Sequence, residues 1–385
     1  MSTPAKTSRL GYDTRSLRSA LVMKAVDSMR PFRAAERFKW EGPCVVSSLA
    51  GLGDLFIQLP LIAGIVKESR RRGLDVRVAL RPPHVAVGSA CGWDVLAFDN
   101  SLEDFFKNPR AIRASDVIRR LAEARQKRAA LWIDLTGNAV GAVAIKASGA
   151  RKIAARVTRG GRSLIDYPLP HSVQENEYAN NERVADYLGC RLDPTVYGRL
   201  RSTAIDGLED AVVLATTTIC RWRNWPLANF LALVERFPTT HFAVTGFTNE
   251  VLPEELPTLA KLLGKPNVSG LFDTLPLGDL IRLIAHSRAV VTNDTSTAHI
   301  ANGFSKPGAV LFGPARPETF TPRDGKLRAF ADTTCPFRPC VQWRCSNQQN
   351  WCMRKISVDD VADHLATVLE ASTAVRLPVP ELIST

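Results

Sequence analysis

The sequence predicts an α/β protein made of two halves joined in series, each built on a parallel β-sheet. Short apolar strands alternate with amphipathic helices from residue 44 to residue 188, an irregular stretch follows over residues 192–210, and the alternation then restarts. Strands that are separated by helices favour parallel sheets with right-handed crossovers. At 385 residues, the chain is long enough for two domains of ordinary size.

The first half opens on an apolar strand at residues 44–49, which a glycine turn at Gly51 and Gly53 connects to a helix at residues 55–72. Glycines in such a turn let the backbone approach a ligand closely. The apolar periodicity of the remaining segments predicts strands at residues 74–80, 95–98, 130–135 and 152–157, and helices at residues 111–127, 138–147 and 171–188.

The second half repeats this pattern. We expect strands at residues 211–215, 241–246, 289–292 and 309–312, the last of which ends the sheet, and helices at residues 227–237, 256–263, 277–286 and 297–303. Because open parallel sheets bind ligands at the carboxyl ends of their strands, we expect a cleft that both sheets face.

Three segments follow from these boundaries. They are a basic N-terminal extension (1–42), an N-terminal domain (43–200) and a C-terminal domain (201–385) with a Cys-rich tail (335–352). In the extension, Leu17, Leu21 and Met29 recur at roughly helical spacing among basic residues. This pattern predicts an amphipathic helix that packs on the body of the protein or touches a membrane surface.

Composition and charge narrow the class of protein. A hydrophobic fraction of 45% and a charged fraction of 23% are typical of a globular protein. No apolar run reaches the ~18 residues of a transmembrane helix, and the N-terminus lacks the pattern of a secretory signal, so we expect a cytoplasmic protein, with peripheral contact at the inner membrane as a further expectation. The net charge of +12 favours a phosphate-bearing or anionic partner. Without a zinc-finger, RNP or basic-zipper pattern, we expect no nucleic-acid partner.

The most informative segment is residues 291–300, where an apolar strand ends in Asn293 and Asp294. The hydroxyl-rich turn Thr295, Ser296 and Thr297 then opens a helix. Unpaired amides and the helix dipole favour an anion at such a helix start, so a phosphate or pyrophosphate is a suitable ligand. An ordinary helix N-cap is the alternative interpretation.

Asp54 is a candidate general base, because it follows the first strand of the N-terminal half and a carboxylate there would face the cleft. The alternative is that Asp54 caps the following helix. Gly51 and Gly53 begin a dinucleotide fingerprint, but Phe56 occupies the position of its third glycine, which disfavours that type of site.

Two further candidates follow strands of the C-terminal half. Arg223, near Thr217 and Thr218, is placed to bind a phosphate, or alternatively to stack on a neighbouring tryptophan. Glu250 follows the strand at residues 241–246 and is placed to accept hydrogen bonds from ribose hydroxyls. The alternative, which local sequence favours, is a first-turn residue stabilised by the helix dipole.

The eight cysteines fall into two groups. Four are scattered (Cys44, Cys91, Cys190 and Cys220) and are interpreted as buried free thiols. The other four are close together in the tail, and they predict a structural Zn or Fe site, with partly buried thiols as the alternative: Cys335, Cys340, Cys345 and Cys352.

In this order and at these distances, the motifs resemble glycosyltransferase family 9, the heptosyltransferase family of lipopolysaccharide-core assembly. The resemblance covers residues 44–356. It rests on Gly53-Asp54 with Leu59-Pro60-Leu61, Arg223-Asn224-Trp225-Pro226, residues 246–250, residues 293–299, Leu311-Phe312-Gly313-Pro314 and the Cys-rich tail.

The resemblance implies a GT-B fold, in which two Rossmann-like domains face a central cleft. The N-terminal domain would bind the acceptor and the C-terminal domain the nucleotide-sugar donor. The implied reaction is an inverting transfer of a sugar, and the expected sugar is a heptose from ADP-heptose. The acceptor would be a hydroxyl of lipopolysaccharide core, another glycolipid or another glycan.

The family roles carry over to matching positions. Asp54 would deprotonate the acceptor hydroxyl, and Asp294 would act near the reaction centre. The donor would be bound by Thr217, Thr218, Arg223, Glu250, Thr295, Ser296 and Thr297. His299 is expected to pack. No cofactor is expected for catalysis, since no Asp-x-Asp motif ends a strand; some relatives carry a four-Cys metal site, which favours a metal in the tail.

Three features depart from the family pattern. Arg223 replaces the usual Lys, Ser296 stands where many relatives have Gly, and the N-terminal extension is longer. Two other functions remain as alternatives: a nucleotide-sugar epimerase of the same fold, and a non-catalytic protein that binds anionic surfaces through its basic charge.

Overall fold

The computed structural model describes residues 37–98, 129–158, 161–321, 325–338, 340, 345, 347 and 350–374. The helices predicted in the N-terminal extension and at residues 111–127 lie outside these ranges. The chain forms two compact units, an N-terminal unit (Met1–Arg199) and a C-terminal unit (Leu200–Thr385). Among the helices that the structure describes, none combines the length and the apolar composition that crossing a bilayer requires.

The N-terminal unit contains a six-stranded parallel sheet. Its strands are β1 (Cys44–Ser48), β2 (Val76–Leu80), β3 (Val95–Ala97), β4 (Leu131–Asp134), β5 (Lys152–Arg156) and β6 (Tyr167–Leu169). They lie in the order β3-β2-β1-β4-β5-β6, which is the strand order of the Rossmann fold. Every described strand pair is parallel, and β1 is the central strand, hydrogen-bonded to both β2 and β4.

The described helices of this unit are α1 (Leu52–Arg71), α2 (Val85–Ala90), α3 (Ala139–Ala147), α4 (Glu177–Leu188) and α5 (Val196–Leu200). Two predicted helix starts differ clearly from the observed ones. α1 begins at Leu52 rather than at residue 55, because Gly51 is its N-cap and the Asp54 carboxylate accepts a hydrogen bond from the Gly51 amide. α4 begins at Glu177 rather than at residue 171, because the Asn176 side chain accepts from the Tyr178 amide and caps the helix there.

The C-terminal unit repeats the architecture. Its strands are β7 (Val212–Ala215), β8 (Phe242–Gly246), β9 (Val268–Phe272), β10 (Ala289–Asn293), β11 (Gly308–Phe312) and β12 (Leu327–Ala331). They lie in the order β12-β11-β10-β7-β8-β9, again with parallel pairing. The sequence predicted neither β9 nor β12, and the expectation that the strand near residue 312 ends the sheet is wrong.

Around this sheet lie α6 (Leu227–Glu235), α7 (Leu256–Leu263), α8 (Leu277–His286), α9 (Ser296–Gly303), α10 (Pro317–Phe320), α11 (Trp351–Arg354) and α12 (Val358–Ala374). One face of α12 completes the core, where Val361, Leu365 and Leu369 pack with residues of β7, β10 and β11. The predicted α/β class with two Rossmann-like sheets is confirmed, because each unit independently has the strand order of that fold.

Candidate functional site

The candidate site lies at the carboxyl edge of the C-terminal sheet, where β7 and β10 run side by side. Thr292 of β10 pairs with Ala215 of β7, so the loops that follow these two strands start next to each other. In a sheet of this order, the connections diverge between the first and fourth strands, and ligands bind in the crevice outside that point.

Asn293 ties the two loops together. Its side chain is fully buried; Oδ1 accepts from the Trp225 amide at 2.9 Å, and Nδ2 donates to the Thr216 carbonyl at 2.8 Å. Trp225 is itself fully buried, and its Nε1 donates to the Ile356 carbonyl. Sequence reasoning treated Asn293 only as the end of a strand. The signal for this role was a lone amide side chain closing an apolar strand.

Arg223 and Asp294 form an ion pair at this edge. Arg223 ends the single 3-10 turn Arg221–Arg223, and its Nη2 lies 3.3 Å from Asp294 Oδ2. Both side chains are largely buried, with exposed fractions of 18% and 7%. Burial raises the pKa of Asp294, and the Arg223 guanidinium opposes that rise. The Arg221 guanidinium stacks on Trp222, at 4.5 Å from the ring centroid.

Thr217 and Glu250 form a second polar pair at the same edge. Thr217 Oγ1 donates to Glu250 Oε2 at 2.7 Å and accepts from the Phe247 amide at 3.0 Å. Gly246 permits this approach, because a Cβ there would lie 2.9 Å from Thr217 Oγ1 and 2.7 Å from Phe272 Cζ. Burial raises the pKa of the Glu250 carboxyl group; the hydrogen bond from Thr217 opposes that rise.

Thr218 lies next to Thr217 but is used differently. Its hydroxyl donates to the Cys220 carbonyl at 2.7 Å and accepts from the Cys220 amide at 3.2 Å, and its exposed fraction is 5%. The hydroxyl therefore stabilises the turn that leads to Arg223. The two threonines do not present equivalent hydroxyls to one ligand group.

The start of α9 supplies backbone amides to the edge. Thr295 is the N-cap, with its Oγ1 accepting from the Thr297 amide at 3.2 Å and lying 3.2 Å from Thr292 Oγ1. Ser296 and Thr297 are the first two residues of the helix. An N-cap is therefore present, and it is Thr295 rather than Asp294. The positive end of the helix dipole still faces the region beside the ion pair.

His299 lies inside α9, is buried, and has its ring centroid 6.3 Å from that of Phe320. Burial lowers its pKa to about 4, and the nearby Arg223 charge acts in the same direction. A neutral, buried ring in contact with an aromatic side chain fits the expected packing role.

Asp54 lies in the N-terminal unit, in the first turn of α1. Its Oδ2 accepts a hydrogen bond from the Gly51 amide at 3.1 Å, so Asp54 does cap the start of α1. A carboxylate has two oxygens and can accept several hydrogen bonds. The cap and the general-base roles are therefore compatible.

Sequence reasoning missed a buried charged network near Asp54. Arg156 ends β5 with an exposed fraction of 3%, and its guanidinium donates to Glu177 Oε2 at 3.1 Å and to Asn181 Oδ1 at 2.6 Å. His171 Nε2 lies 3.0 Å from Glu177 Oε1. Asp54 lies near enough to favour the charged form of Arg156 electrostatically. The sequence feature that could have indicated this network is an arginine at the end of an apolar strand.

The structure does not support the predicted metal site. Cys335 and Cys352 are packed into the hydrophobic core of the C-terminal unit, whereas Cys340 and Cys345 are half-buried outside that core. Within the described residues, no three His, Cys, Asp or Glu side chains are grouped so that they could hold a metal ion. All eight cysteines are free thiols, and the four scattered ones are buried as expected.

Known proteins resemble this chain in sequence. The sequence model of glycosyltransferase family 9 (heptosyltransferase) matches residues 162–350. Lipopolysaccharide heptosyltransferase 1 of Pseudomonas aeruginosa is 26% identical over 229 residues, which cover 55% of this chain and 58% of the relative. Lipooligosaccharide heptosyltransferase 2 of Haemophilus influenzae is 32% identical over 116 residues, 27% of this chain and 31% of the relative.

The region of residues 162–350 belongs to glycosyltransferase family 9. The aligned regions span only 58% and 31% of these two curated family members. The match of the family model begins near the end of the N-terminal unit and covers the whole edge that carries Arg223, Glu250 and Asp294.

Solved structures of family 9 proteins share the fold. The heptosyltransferase WaaC of E. coli with ADP-2-deoxy-2-fluoro heptose has a TM-score of 0.65 at 14% identity, over 84% of this chain and 99% of WaaC. A family 9 glycosyltransferase from Veillonella parvula has a TM-score of 0.61 at 16% identity, over 85% and 97% of the two chains. The likeness extends over both units, including the part of the N-terminal unit that the family model leaves unmatched.

Proposed function

We propose that this family 9 protein transfers a sugar from a nucleotide-sugar donor to a hydroxyl group of a glycan acceptor. The observation that carries the proposal is the Arg223–Asp294 ion pair, with 3.3 Å between Nη2 and Oδ2. A cation, a carboxylate and a helix N-terminus at one sheet edge match the charges that develop during glycosyl transfer.

The C-terminal unit would bind the donor. Negative charge develops on the leaving diphosphate, where Arg223 and the amides at the start of α9, at Thr295, Ser296 and Thr297, would stabilise it. Positive charge develops on the sugar, and the Asp294 carboxylate would offset it. Glu250, held by Thr217, would accept hydrogen bonds from the ribose. Thr218 would act indirectly, through the turn that it stabilises.

Asp54 would take the proton from the acceptor hydroxyl. The oxygen of that hydroxyl forms the new bond to the anomeric carbon while the bond to the diphosphate breaks, so the configuration is inverted. In this scheme the diphosphate charge is met by a guanidinium and by helix amides, and no metal ion takes part in a step.

The donor that we propose is ADP-heptose. Support comes from the two curated relatives, which are named as heptosyltransferases, and from the fold shared with WaaC, which was solved with an ADP-heptose analogue. The proposed acceptor is lipopolysaccharide core or a similar glycolipid or glycan, and the net charge of +12 suits a phosphorylated acceptor or an anionic membrane surface.

A thermal-shift screen of free nucleotides and nucleotide sugars tests the donor class. A ligand that binds only the folded protein raises its melting temperature. We expect a selective rise with ADP and ADP-sugars. A preference for UDP, GDP or CMP compounds would change the donor, and the absence of any response would favour the non-catalytic alternative.

Turnover separates the remaining alternatives. We expect sugar transfer only when donor and acceptor are both present. Conversion of the donor sugar without an acceptor would instead support the epimerase.

A further inference from the structure

The N-terminal unit has a surface patch on which basic and aromatic side chains are interleaved. We call it the aromatic–basic surface and define it by Arg37, Phe38, Lys39, Trp40, Arg72 and Tyr187, which border a depression of about 840 Å³. None of the roles proposed above uses these residues. The patch is built from the segment that precedes β1, the end of α1 and the end of α4.

The aromatic rings of this surface are anchored from beneath. The Phe38 ring centroid lies 5.3 Å from that of buried Tyr167, 5.3 Å from that of Trp40 and 5.8 Å from that of Tyr187. Trp40 Nε1 donates to the Leu188 carbonyl at 3.0 Å. Tyr187 remains 37% exposed. The rings are therefore held rigidly by the core while part of each reaches the surface.

The cations of the surface lie outside this aromatic layer. Arg37 and Lys39 are exposed and alternate along the chain with half-buried Phe38 and Trp40. The Arg72 guanidinium lies 5.5 Å from the Trp40 ring centroid. Among the described residues that border the depression, Asp186 supplies the lone carboxylate. The patch therefore carries a net positive charge over apolar rings.

Further positive charge lies beside the patch. The last turn of α1 adds exposed Arg70 and Arg71. Glu68 accepts from Arg71 at 2.8 Å and from Arg72 at 2.7 Å, which fixes two guanidinium groups at the end of this helix. The sequence that leads into Arg37 is also rich in basic residues.

We propose that the aromatic–basic surface docks the N-terminal unit on an anionic phospholipid bilayer. Trp and Tyr rings favour the headgroup level of a bilayer, and Lys and Arg extend past apolar surface to reach phosphates. A wide patch with several cations around partly exposed rings suits a surface of many headgroups rather than one small ligand. This inference rests on the proposed function, and it adds which face of the N-terminal unit contacts the membrane.

Vesicle co-sedimentation of the full chain tests this inference. We expect binding to phosphatidylcholine vesicles that contain roughly one-third phosphatidylglycerol, and release as salt screens the charges. Since each basic residue at an anionic surface contributes about fivefold to partitioning, the double variant Arg37→Gln/Lys39→Gln should bind about thirtyfold more weakly. Tyr187→Ala should weaken the binding that persists in high salt, because apolar burial is not screened.

A charge-matched control uses two exposed cations of the C-terminal unit. The double variant Arg201→Gln/Lys261→Gln removes the same charge elsewhere, and it should change vesicle binding by less than about twofold. An equal loss in both double variants would mean that net charge alone drives binding and would overturn the assignment. Equal binding to pure phosphatidylcholine, or full competition by inorganic phosphate, would overturn it as well.

Nucleotide binding keeps this test separate from the proposed function. The Arg37→Gln/Lys39→Gln variant should keep the full thermal shift with nucleotide. Failure of vesicle binding with an intact nucleotide response refutes the docking surface alone. Vesicle binding without any nucleotide response refutes the proposed function alone.

Discussion

The two sheets have the same strand order, yet their equivalent edges hold different chemistry. The fourth strand of each ends at an aspartate, Asp134 in β4 and Asp294 just after β10, and burial raises the pKa of both. Asp134 accepts from the Gly137 amide at 3.0 Å and from Ser47 Oγ at 2.8 Å. Asp294 instead faces Arg223. In the N-terminal unit, the aspartate accepts hydrogen bonds from the loop that follows its own strand. In the C-terminal unit, the aspartate is paired with an arginine from a different loop.

The arginines of the two edges differ in the same sense. Arg156 donates to both Glu177 and Asn181, and its side chain has an exposed fraction of 4%. Arg223 pairs with Asp294, and its side chain has an exposed fraction of 18%. Topology thus decides where polar groups gather, and the loop residues decide whether those groups satisfy one another or can meet a ligand.

The largest expected effect of a substitution is on Arg156. Replacing it with Gln leaves Glu177 buried without its cation, and removing one partner of a buried ion pair costs about 3–5 kcal/mol. Urea denaturation should show this loss of stability. Below its unfolding temperature the variant should bind nucleotide with unchanged affinity, and a weakened affinity would contradict the division of roles between the units.

The next largest effect is expected at Asp54. Asp54→Ala and Asp54→Asn should each reduce the rate of transfer by at least about a hundredfold, the scale of general-base catalysis, while nucleotide affinity stays constant. Asn keeps an oxygen that can accept from the Gly51 amide, so only the Ala variant should also lose stability at the start of α1. Undiminished turnover in the Asn variant would exclude a base role for Asp54.

At Arg223, the expected effect is on diphosphate affinity. Arg223→Gln should weaken ADP binding roughly ten- to a hundredfold, the range for hydrogen bonds to charged groups, and should affect AMP less. Arg223→Lys should retain part of the affinity, because it keeps the charge and loses the planar fork. Titration calorimetry with both nucleotides measures these losses. An equal loss for AMP and ADP would place the defect in the fold rather than at the diphosphate.

The smallest expected effects concern one buried histidine in each unit. Burial lowers the pKa of His84 and of His299 from 6.5 to about 4. Between these pH values the unfolded chain binds more protons than the folded chain, so the free energy of unfolding increases with pH. This contribution to stability is lost as the pH falls towards 4. His84→Gln and His299→Gln should each reduce the difference in free energy of unfolding between pH 4 and a pH above 6.5. Urea denaturation at the two pH values measures this difference. If neither variant changes the pH dependence of the free energy of unfolding, the two histidines are not its cause.

The strands and the loops of the candidate site follow from local sequence signals. Alternating apolar strands and helices predict two parallel sheets, and the hydroxyl-rich turn after Asn293 predicts the start of α9. The strands that were missed are weak locally. β6 has three residues, and β9 is half-exposed and contains Ser269 and Gly270. Only pairing with a neighbouring strand defines such segments as part of a sheet.

The partners of the site residues were less predictable than their positions. Arg223 could pair with Asp294, 71 positions later in the sequence, only because β7 and β10 are adjacent in the sheet. The Thr217–Glu250 hydrogen bond and the double role of Asn293 also join separate loops. For the cysteines, spacing predicted a shared metal, but Cys335 and Cys352 pack in the hydrophobic core, and no metal-holding group occurs among the residues that the structure describes.

The hydrogen bonds of Asn293 have a consequence for how donor preference can evolve. They bind the backbone on both sides of Arg223 to the end of β10, whereas the loop with Glu250 is joined to Thr217 through side-chain and amide contacts. Under the proposed function, mutations in residues 247–252 would therefore change recognition of the nucleoside and leave the proposed diphosphate-binding residues in place. Laboratory evolution of new donors is best directed at that loop.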